Sequence, residues 1–311
     1  MDSPRCRSPK RTLAHGTIGV IGVGRMGTAV CARLVEAGFS VVAGDRDADR
    51  AAAARAAGAR WADSPREVAA QADFLITVLP GTAELVDAIA TVGPELRRGS
   101  CWIDMTSCAP DAAAATRDEL VARGVDCLEA PAGGNPDAAR AGGLQLFVGG
   151  PIEAAERCRV VLEALGRIEH MGAAGAGYTT KLLVNLMWFA EAVATAEALL
   201  VARRAGLDID VLRDTLARSP AGSRFIEDMV PRLLDGDYLA SFGLDRCCEE
   251  LDAIAALAES QAVPFTVSSA VRGVYREALD RYGRIDGELL AVVLLEERAG
   301  IRLRRSDDGA D

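Results

Sequence analysis

The sequence predicts an α/β fold in which a doubly wound parallel sheet is followed by an all-α C-terminal domain. An apolar run over residues 17–23 leads into a glycine-rich turn and a helix, and strands and helices then alternate to about residue 171. Beyond residue 177 only long helical patterns remain. Alternating strands and helices build parallel sheets with helices on both faces. The predicted boundaries are a disordered tail at 1–13, the sheet domain at 14–171, the helical domain at 172–300 and a second disordered tail at 301–311.

The glycine-rich turn after the first strand has the spacing G-x-G-x-x-G at Gly22, Gly24 and Gly27. In a strand–turn–helix unit the first glycine permits a tight turn and the second lets the backbone approach a pyrophosphate. The third lets helix and strand pack closely. The N-terminus of the following helix, predicted at 28–37, offers unpaired N–H groups and a partial positive charge to phosphates. The stretch therefore predicts a Rossmann-type unit that binds a dinucleotide.

An acidic residue, Asp45, follows the second apolar run at 39–43. A carboxylate about 20 residues after such glycines accepts hydrogen bonds from a ribose 2'-hydroxyl, which favours NAD and disfavours the 2'-phosphate of NADP. The neighbouring Arg46 could instead hold that phosphate or stack on adenine. The sequence therefore favours NAD and leaves NADP open.

Further strands and helices alternate along the first domain. Ser64, Pro65 and Glu67 suit the N-cap, the first helical position and a capping box, so they predict a helix start. The stretch 131–143 is rich in glycine, alanine and proline, which predicts a loop with at most a short helix. Strands are predicted at 59–61, 74–79, 101–105, 125–129, 144–148 and 167–171, and helices at 48–57, 65–71, 83–92, 111–123 and 152–165. In the second domain helices are predicted at about 178–205, 208–217, 222–234, 243–260, 264–280 and 286–298.

Composition and charge argue against several classes of function. A formal net charge of −10 disfavours a nucleic-acid partner, because such binding needs a basic surface. The apolar stretch 182–201 contains Asn185, Glu191 and Glu197, so it predicts a buried core helix and no membrane span. The eight cysteines are scattered without a C-x-x-C pair and read as small buried hydrophobes. With only two histidines and no visible signal peptide, we expect a cytoplasmic protein without a metal site.

Two polar residues, Lys181 and Asn185, share one face of the first helix after the boundary. Their neighbours along the helix are almost all apolar, and a helix that is apolar nearly all round is buried. Burying an ammonium and an amide costs several kcal/mol unless they find partners. The pair is therefore predicted to face a polar pocket.

Five motifs make the chain resemble the β-hydroxyacid dehydrogenase family, which includes 3-hydroxyisobutyrate dehydrogenase and tartronate semialdehyde reductase and is related to 6-phosphogluconate dehydrogenase. The family's glycine motif is met in full by the turn at 22–27, including Met26. Its motif G-x-G-x-x-x-K-x-x-x-N is met completely by Gly175, Gly177, Lys181 and Asn185.

The other two motifs in the first domain and one in the second depart from the family's pattern. D-x-S-T-x-x-P appears at 104–110 with its hydroxyl residues exchanged, and D-A-P-V-S-G-G appears at 129–135 as E-A-P-A-G-G-N. Gly133 thus replaces a carboxylate-binding serine, whose hydrogen bond to a charged group is worth roughly 1.5 to 3 kcal/mol. In F-x-L-x-L-x-x-K-D-L, Glu249 and Glu250 replace Lys and Asp. These changes indicate either drift or a substrate that is amino-bearing or less anionic than a simple β-hydroxyacid.

The resemblance implies that Lys181 is the general acid and base and that Asn185 orients the substrate, in a cleft between the domains. Such proton transfer is typically worth 10²- to 10⁴-fold, and burial can lower a lysine pKa towards neutrality. It also implies hydride transfer between NAD or NADP and a hydroxyl or carbonyl carbon of a small molecule, and a homodimer built through the helical domain. The candidate cofactor-binding residues are Gly22, Gly24, Arg25, Met26, Gly27, Asp45, Arg46, Leu79, Pro80 and Ser107. The candidate substrate-binding residues are Gly133, Gly134, Asn135 and Glu249.

Three other functions compete with a hydroxyacid dehydrogenase. Imine reductases resemble this two-domain architecture but generally lack the lysine that is kept here as Lys181. A nucleotide-binding sensor without turnover would explain the glycine motif and the lost serine, but not the retention of Lys181 and Asn185. A methyltransferase that binds S-adenosylmethionine could also contain a glycine-rich turn. That function would not explain the Lys181 motif in the second domain.

Overall fold

The computed structural model describes residues 16–239 and 242–305. The chain divides into two compact units, Met1–Tyr178 and Thr179–Asp311. The division lies a few residues beyond the boundary predicted at 171. The predicted tail at 1–13 and the last six residues of the other tail, 306–311, lie outside the described residues.

The described part of the first unit is a nine-stranded sheet with helices between the strands. Its strands are β1 Ile18–Ile21, β2 Val41–Gly44, β3 Arg60–Trp61, β4 Phe74–Thr77, β5 Cys101–Asp104, β6 Asp126–Glu129, β7 Ala132–Gly133, β8 Leu144–Gly149 and β9 Gly166–Gly172. Its helices are α1 Arg25–Glu36, α2 Ala51–Ala56, α3 Pro65–Gln71, α4 Thr82–Val92, α5 Ala114–Ala122, α6 Pro136–Ala141 and α7 Ile152–Leu165.

The strands run in the order β3-β2-β1-β4-β5-β6-β8-β7, with β9 paired to β8. Strands β1 to β6 pair with one another in parallel, as the sequence predicts. Successive side chains of a strand point to opposite faces, so each strand feeds two cores. On β1, Ile18 and Val20 join a cluster with α1 and α7, whereas Ile21 joins one with α3 and α4. The predicted doubly wound sheet is confirmed.

One edge of the sheet departs from the prediction of a wholly parallel arrangement. Strand β8 pairs antiparallel with both β6 and β7. Only residues 134–143 connect β7 to β8, and a parallel pairing needs a crossover of a dozen residues or more. The short connection therefore turns the chain back on itself. The two-residue strand β7 and the six-residue helix α6 lie where the sequence predicts a loop with at most a short helix.

The predicted start of α3 is confirmed at the N-cap and at the first helical position. The Ser64 hydroxyl accepts a hydrogen bond from the Glu67 N–H at 3.3 Å, and Pro65 takes the first helical position. The Glu67 carboxylate reaches back to the N–H of Asp63 at 3.2 Å, one residue before the position that a standard capping box uses. Two otherwise unpaired donors at the helix start are satisfied in this way.

The described residues of the second unit form helices and connecting loops, with one isolated β-bridge between Gly243 and Asp286. Its first helix, α8, spans Ala176–Arg204 and therefore begins in the last residues of the first unit. A single π-helical turn, Phe225–Met229, starts the segment predicted as a helix at 222–234. The remaining helices are α9 Ile209–Ala217, α10 Val230–Leu234, α11 Leu244–Ser260, α12 Thr266–Tyr282 and α13 Leu290–Ala299.

Helix α8 is buried on one face only, which corrects the prediction of a core helix buried all round. Leu182, Phe189 and Leu199 are at most 1% exposed, but Met187 is 60% and Val201 69% exposed. Among the described residues, α8 is also the one helix long and apolar enough to cross a membrane, a test that core helices of soluble proteins pass as well. The apolar composition of α8 therefore predicts burial correctly for the face that carries Leu182, Phe189 and Leu199. The face that carries Met187 and Val201 is exposed in the single chain.

The C-terminal segment at 301–305 is packed against the helical unit, although the sequence predicts a disordered tail there. Leu303 is fully buried in the core of this unit. Its N–H donates to the buried Glu296 carboxylate at 2.7 Å, and its carbonyl accepts a hydrogen bond from Arg203 at 3.1 Å. Arg305 donates its N–H to the carbonyl of Leu234. One apolar anchor with paired backbone groups is enough to order the segment.

We expect Leu303→Ala to lower the free energy of unfolding by about 2 to 5 kcal/mol, because it removes a buried side chain and leaves a cavity. Urea unfolding followed by circular dichroism measures the change. The control is Val263→Ala in the same unit, where the side chain is 56% exposed and the change should stay within about 0.5 kcal/mol. Equal stability of the two variants would show that the segment does not contribute to the core.

Candidate active site

The three glycines of the first turn have different surroundings. Gly22 has φ +93°, and a Cβ there would lie 2.2 Å from the carbonyl oxygen of Val78. A Cβ on Gly27 would lie 1.8 Å from the carbonyl oxygen of Gly22. At Gly24, by contrast, a Cβ would meet no heavy atom within 4 Å. Gly22 and Gly27 are therefore required by the packing of the turn, whereas Gly24 exposes bare backbone at the start of α1.

Asp45 lies directly after β2 and is tied to the glycine turn. Its carboxylate accepts hydrogen bonds from the N–H of Val23 at 2.7 Å and from the N–H of Asp47 at 3.0 Å. A carboxylate has about four lone-pair positions, so two N–H donors leave capacity for hydroxyl groups. Bare backbone at Gly24, a helix N-terminus and this oriented carboxylate fit the pyrophosphate and a ribose of a dinucleotide. Arg46, the alternative phosphate ligand, is exposed.

A buried hydrogen-bond network follows the ends of β4 and β5. The fully buried Asp104 carboxylate accepts from Thr77 at 2.5 Å, from Thr106 at 2.8 Å and from the hydroxyl of Tyr178 at 2.7 Å. Thr106 in turn accepts the N–H of Leu79 at 3.2 Å. Burial raises the pKa of Asp104 to about 6, although the hydrogen bonds act to lower it. The network links the core of the sheet to the loop that carries Leu79.

The candidate cofactor residues beside this network occupy the loops after β4 and β5. Leu79 and Ser107 are half-buried, and Pro80 is exposed at the turn that precedes α4. The first of the two exchanged hydroxyls, Thr106, is 1% exposed and belongs to the buried network. Ser107 is therefore the hydroxyl of this pair that lies closer to the surface. Arg25 is exposed and Met26 packs against the core below the glycine turn.

Glu129 ends β6 and caps the start of α8. Its carboxylate accepts the N–H of Gly175 at 2.5 Å, of Gly177 at 3.2 Å and of Tyr178 at 3.4 Å, and Arg117 lies 3.6 Å away. Burial raises the pKa of Glu129, and these donors oppose the rise. A Cβ on Gly177 would lie 2.5 Å from the carbonyl oxygen of Phe147, so only glycine permits this close approach. The glycines of the lysine motif therefore serve the helix start.

The candidate substrate loop follows at β7. Gly134 has φ +125°, a backbone conformation that favours glycine. Gly133 is different, because a Cβ there would meet its nearest neighbours, Gln145 and Phe147, at an ordinary 3.6 Å. Asn135 caps α6, with its side-chain oxygen accepting the N–H of Ala138 at 2.9 Å. The glycine at 133 is thus not required by the backbone, and it leaves space that a serine could occupy.

Lys181 and Asn185 lie in a polar cluster within the second unit. The Asn185 amide donates to the buried carboxylate of Glu250 on α11 at 2.5 Å. One helical turn further on, the indole N–H of Trp188 donates to Glu288, in the loop before α13, at 3.0 Å. Burial lowers the pKa of Lys181, and the negative charges of Glu250 and Glu288 oppose that fall. The charges of two carboxylates of the second unit therefore act on the lysine.

Glu249 and Glu250 have different surroundings although they are adjacent. Glu249 is exposed and pairs with Arg246 on the same helix at 2.8 Å. Glu250 is 7% exposed and bonds to Asn185. The sequence predicts a substrate-binding role for Glu249, but the acidic groups that act on Lys181 are Glu250 and Glu288. Glu288 lies outside the five motifs, and only its place in the folded unit reveals it.

The cysteines confirm one expectation from the sequence for the residues that the structure describes. Seven cysteines are described, and all are buried and free. Burial raises the thiol pKa of both Cys247 and Cys248, the adjacent pair. Cys6 lies outside the described residues. Across 16–239 and 242–305, no three His, Cys, Asp or Glu side chains form a group suited to a metal ion.

The chain matches two known families over almost its whole length. Residues 17–175 match the family described as the NAD binding domain of 6-phosphogluconate dehydrogenase. Residues 175–295 match the family described as NAD-binding of NADP-dependent 3-hydroxyisobutyrate dehydrogenase. The junction between the two matches falls at Gly175, where Glu129 caps the start of α8.

Individual relatives agree with these families. Mitochondrial 3-hydroxyisobutyrate dehydrogenase of Mus musculus is 29% identical over 92% of this chain and 90% of its own. L-threonate dehydrogenase of Cupriavidus necator is 30% identical over 84% of this chain and 90% of its own. The structure of Mycobacterium tuberculosis 3-hydroxyisobutyrate dehydrogenase with L-serine matches 91% of this chain and 99% of its own, with a TM-score of 0.82 and 26% identity. The chain therefore belongs to the β-hydroxyacid dehydrogenase family, and it is an NAD(P)-dependent oxidoreductase that transfers a hydride to or from the hydroxyl-bearing carbon of a small hydroxyacid.

Proposed function

We propose that Lys181 is the general acid and base of this dehydrogenase. The observation that carries the proposal is its place in the polar cluster of the second unit, where burial lowers its pKa and two carboxylates oppose the fall. An amine whose pKa lies below the usual range can both give and take a proton nearer neutral pH. The family's motifs contain two lysines. This chain keeps only Lys181, because Glu249 stands where the second lysine is expected.

In the reducing direction, Lys181 donates a proton from its ammonium to the carbonyl oxygen while a hydride reaches the carbonyl carbon. The C=O π bond breaks, new C–H and O–H bonds form, and the lysine is left as a neutral amine. In the oxidising direction the neutral amine takes the hydroxyl proton as the hydride leaves. The nicotinamide cofactor supplies or accepts that hydride when bound. Asn185 would orient the reacting group through a hydrogen bond.

Recognition of the substrate carboxylate would fall to the backbone around Gly133 and Gly134. The missing serine removes one donor for the carboxylate, and the volume that its side chain would fill at Gly133 is left to the substrate. The natural substrate is therefore proposed to be a hydroxyacid that carries a substituent in that volume, an amino group included. Two other candidate substrate residues already have partners in the protein. The Asn135 side chain caps α6, and the Glu249 carboxylate pairs with Arg246.

We propose NAD as the preferred cofactor because the Asp45 carboxylate is fixed by two N–H donors at the end of β2. A fixed carboxylate at this position accepts from a ribose 2'-hydroxyl and repels a 2'-phosphate. Arg46 beside it is the residue through which NADP could still bind. A cytoplasmic location is proposed as well, on the sequence alone.

A second copy of the chain is proposed to cover the exposed face of α8. Five exposed apolar residues share this face and recur at helical spacing, which defines the α8 stripe: Leu183, Met187, Ala194, Ala198 and Val201. At 1.5 Å per residue the stripe is about 27 Å long. Contiguous exposed apolar surface of this kind marks an interface in a soluble protein. A homodimer built on this stripe therefore accounts for an apolar face that the chain leaves uncovered.

We expect Gly24→Ala to fold with an unchanged melting temperature but to bind NADH about 10-fold more weakly, a loss of about 1.4 kcal/mol. The new methyl group would meet nothing in the protein and would occupy the space that a pyrophosphate approaches. Gly27→Ala should instead lower the melting temperature, because its Cβ would lie 1.8 Å from a backbone oxygen. Thermal unfolding and fluorescence titration with NADH and NADPH measure both effects and the cofactor preference. Undiminished NADH affinity in Gly24→Ala would contradict the assignment.

We expect Lys181→Met to lower the turnover of 3-oxo acids and semialdehydes by about 10²- to 10⁴-fold while leaving NADH affinity unchanged. Methionine keeps the length of the side chain but has no proton to transfer. The measurement is steady-state oxidation of NADH with a panel of 3-oxo acids, semialdehydes and cyclic imines. Imine reduction that does not depend on Lys181 would favour an imine reductase, and cofactor binding without any turnover would favour a sensor.

We expect the double variant Ala194→Arg/Val201→Arg to elute as a monomer where the wild-type protein is a dimer, because two charges on the α8 stripe cannot be desolvated without partners. Size-exclusion chromatography with light scattering at micromolar concentration gives the mass of each. Val267→Arg on α12 is the control, since Val267 is 75% exposed and lies off the stripe. A monomeric wild-type protein would refute the proposed dimer.

A further inference from the structure

Glu288 is held in place from two sides although it lies in a loop. Its own N–H donates to the carbonyl of Leu239, and the N–H of Leu289 donates to the carbonyl of Tyr238. Its side chain accepts the indole N–H of Trp188 at 3.0 Å. Trp188 lies seven residues after Lys181 on α8, which is two helical turns along the same face. The loop and the tryptophan thus present one carboxylate to the part of α8 that carries the lysine.

The charges that act on this carboxylate come from three helices of the second unit. Burial raises the pKa of Glu288, and the Trp188 hydrogen bond opposes the rise. The positive charges of Lys181 on α8 and Arg232 on α10 also oppose it, whereas the negative charge of Glu250 on α11 adds to it. The charge of Glu288 also acts on Cys247 of α11 and on Tyr275 of α12, and it raises the pKa of both groups. The hydroxyl of Tyr275 is buried and has no hydrogen-bond partner among the described residues. The Trp188 hydrogen bond and the two cations, Lys181 and Arg232, therefore stabilise the charge on Glu288.

We propose that Glu288 is a positioning residue for Lys181: anchored by Trp188, it acts with Glu250 to hold the ammonium in the polar cluster and to keep the lysine charged. The proposal rests on the proposed role of Lys181 in proton transfer. The positive charge of the protonated lysine attracts both carboxylates, and loss of its proton would remove that attraction and leave their mutual repulsion. The two carboxylates thus favour the form of the enzyme that reduces a carbonyl.

The same arrangement has a consequence for each catalytic cycle. Reduction removes the Lys181 proton and leaves a neutral amine beside Glu250 and Glu288. The two negative charges then favour uptake of a new proton from solvent, which resets the lysine. Burial lowers the pKa of Lys181 and the charge of Glu288 opposes that fall, whereas burial raises the pKa of Glu288 and the charge of Lys181 opposes that rise. Such a coupling is reciprocal, so it can be measured from either partner.

The first experiment follows the ionisation of Glu288 by the NMR signal of the Trp188 indole N–H, which donates to it. It requires no enzymatic turnover. The protein has three tryptophans, so ¹⁵N-labelled indole gives three N–H resonances, and Trp188→Phe identifies the one from Trp188. We expect that resonance to titrate with pH, to stop titrating in Glu288→Gln, and to titrate about 1 pH unit higher in Lys181→Met. The last shift follows because removing the ammonium raises the Glu288 pKa. Glu277→Gln, which removes an exposed carboxylate of α12 paired with Arg298, should leave the midpoint unchanged.

The second experiment reads Lys181 through kinetics. In Glu288→Gln the pH at which kcat/KM for hydroxyacid oxidation reaches half its maximum should fall by about 1 unit, because the Lys181 pKa falls when a nearby negative charge is removed. Glutamine can still accept the Trp188 hydrogen bond, so a purely structural role predicts no shift. Glu288→Asp, which keeps the charge, should restore the midpoint towards that of the wild type.

The two experiments separate failure of this inference from failure of the proposed function. An identical Trp188 titration in wild type and Lys181→Met, or a Trp188 resonance that does not depend on Glu288, overturns the positioning role. A shifted titration in a protein that turns over no hydroxyacid or oxo acid would keep the coupling and refute the role of Lys181 in catalysis. A uniform loss of kcat/KM in Glu288→Gln, without a shift in its pH dependence, also overturns the proposal.

Discussion

A carboxylate taken out of water has to find donors within the protein, and this constraint shapes every buried acid near the candidate site. Asp104 is matched by two threonine hydroxyls and the hydroxyl of Tyr178. Glu129 is matched by three backbone N–H groups at the start of α8. Glu250 has the amide of Asn185, and Glu288 the indole of Trp188. In each case the donor must lie within hydrogen-bond distance of the carboxylate. These contacts therefore fix the positions of the loops after β4 and β5 and of helix α8.

The sequence predicts the local part of this structure well because local steric rules set it. The glycine turn, the helix start at Ser64 and the buried parallel strands each follow from a few adjacent residues. The antiparallel edge at β8 and the ordered segment around Leu303 depend on contacts between residues far apart in the chain, and no periodic pattern records them. Glu288 is the clearest case, since a lone glutamate in a loop is ordinary until the fold places it against Trp188.

The departures from the family motifs have physical explanations of different kinds. Exchange of the two hydroxyl residues leaves the buried network intact, since Thr106 can donate to Asp104 and accept from Leu79 as a serine could. Replacement of aspartate by Glu129 also keeps a carboxylate at the helix start. The replacement at 249 is different in kind, because an exposed glutamate paired with Arg246 supplies no cation. The conservative changes, at Thr106 and Glu129, thus lie where a hydroxyl or carboxylate has a hydrogen-bond partner in the protein. The non-conservative changes, at Gly133 and Glu249, lie at positions that the resemblance assigns to the substrate.

Helix α8 shows how one segment meets several of these demands. Its polar groups, Lys181 and Asn185, lie on the side that also carries the buried Phe189, whereas the exposed side carries the apolar stripe that includes Met187 and Val201. An ordinary surface helix buries its apolar face and turns its polar face to water, but α8 turns two polar groups to its mostly apolar buried side and leaves an apolar stripe exposed. Neither feature is favourable for an isolated chain, since one desolvates an ammonium and the other hydrates apolar surface. Both are accounted for if the polar side works on a substrate and the apolar side is covered by a second subunit. The composition of α8 is therefore better explained by chemistry and assembly together than by the stability of a single chain.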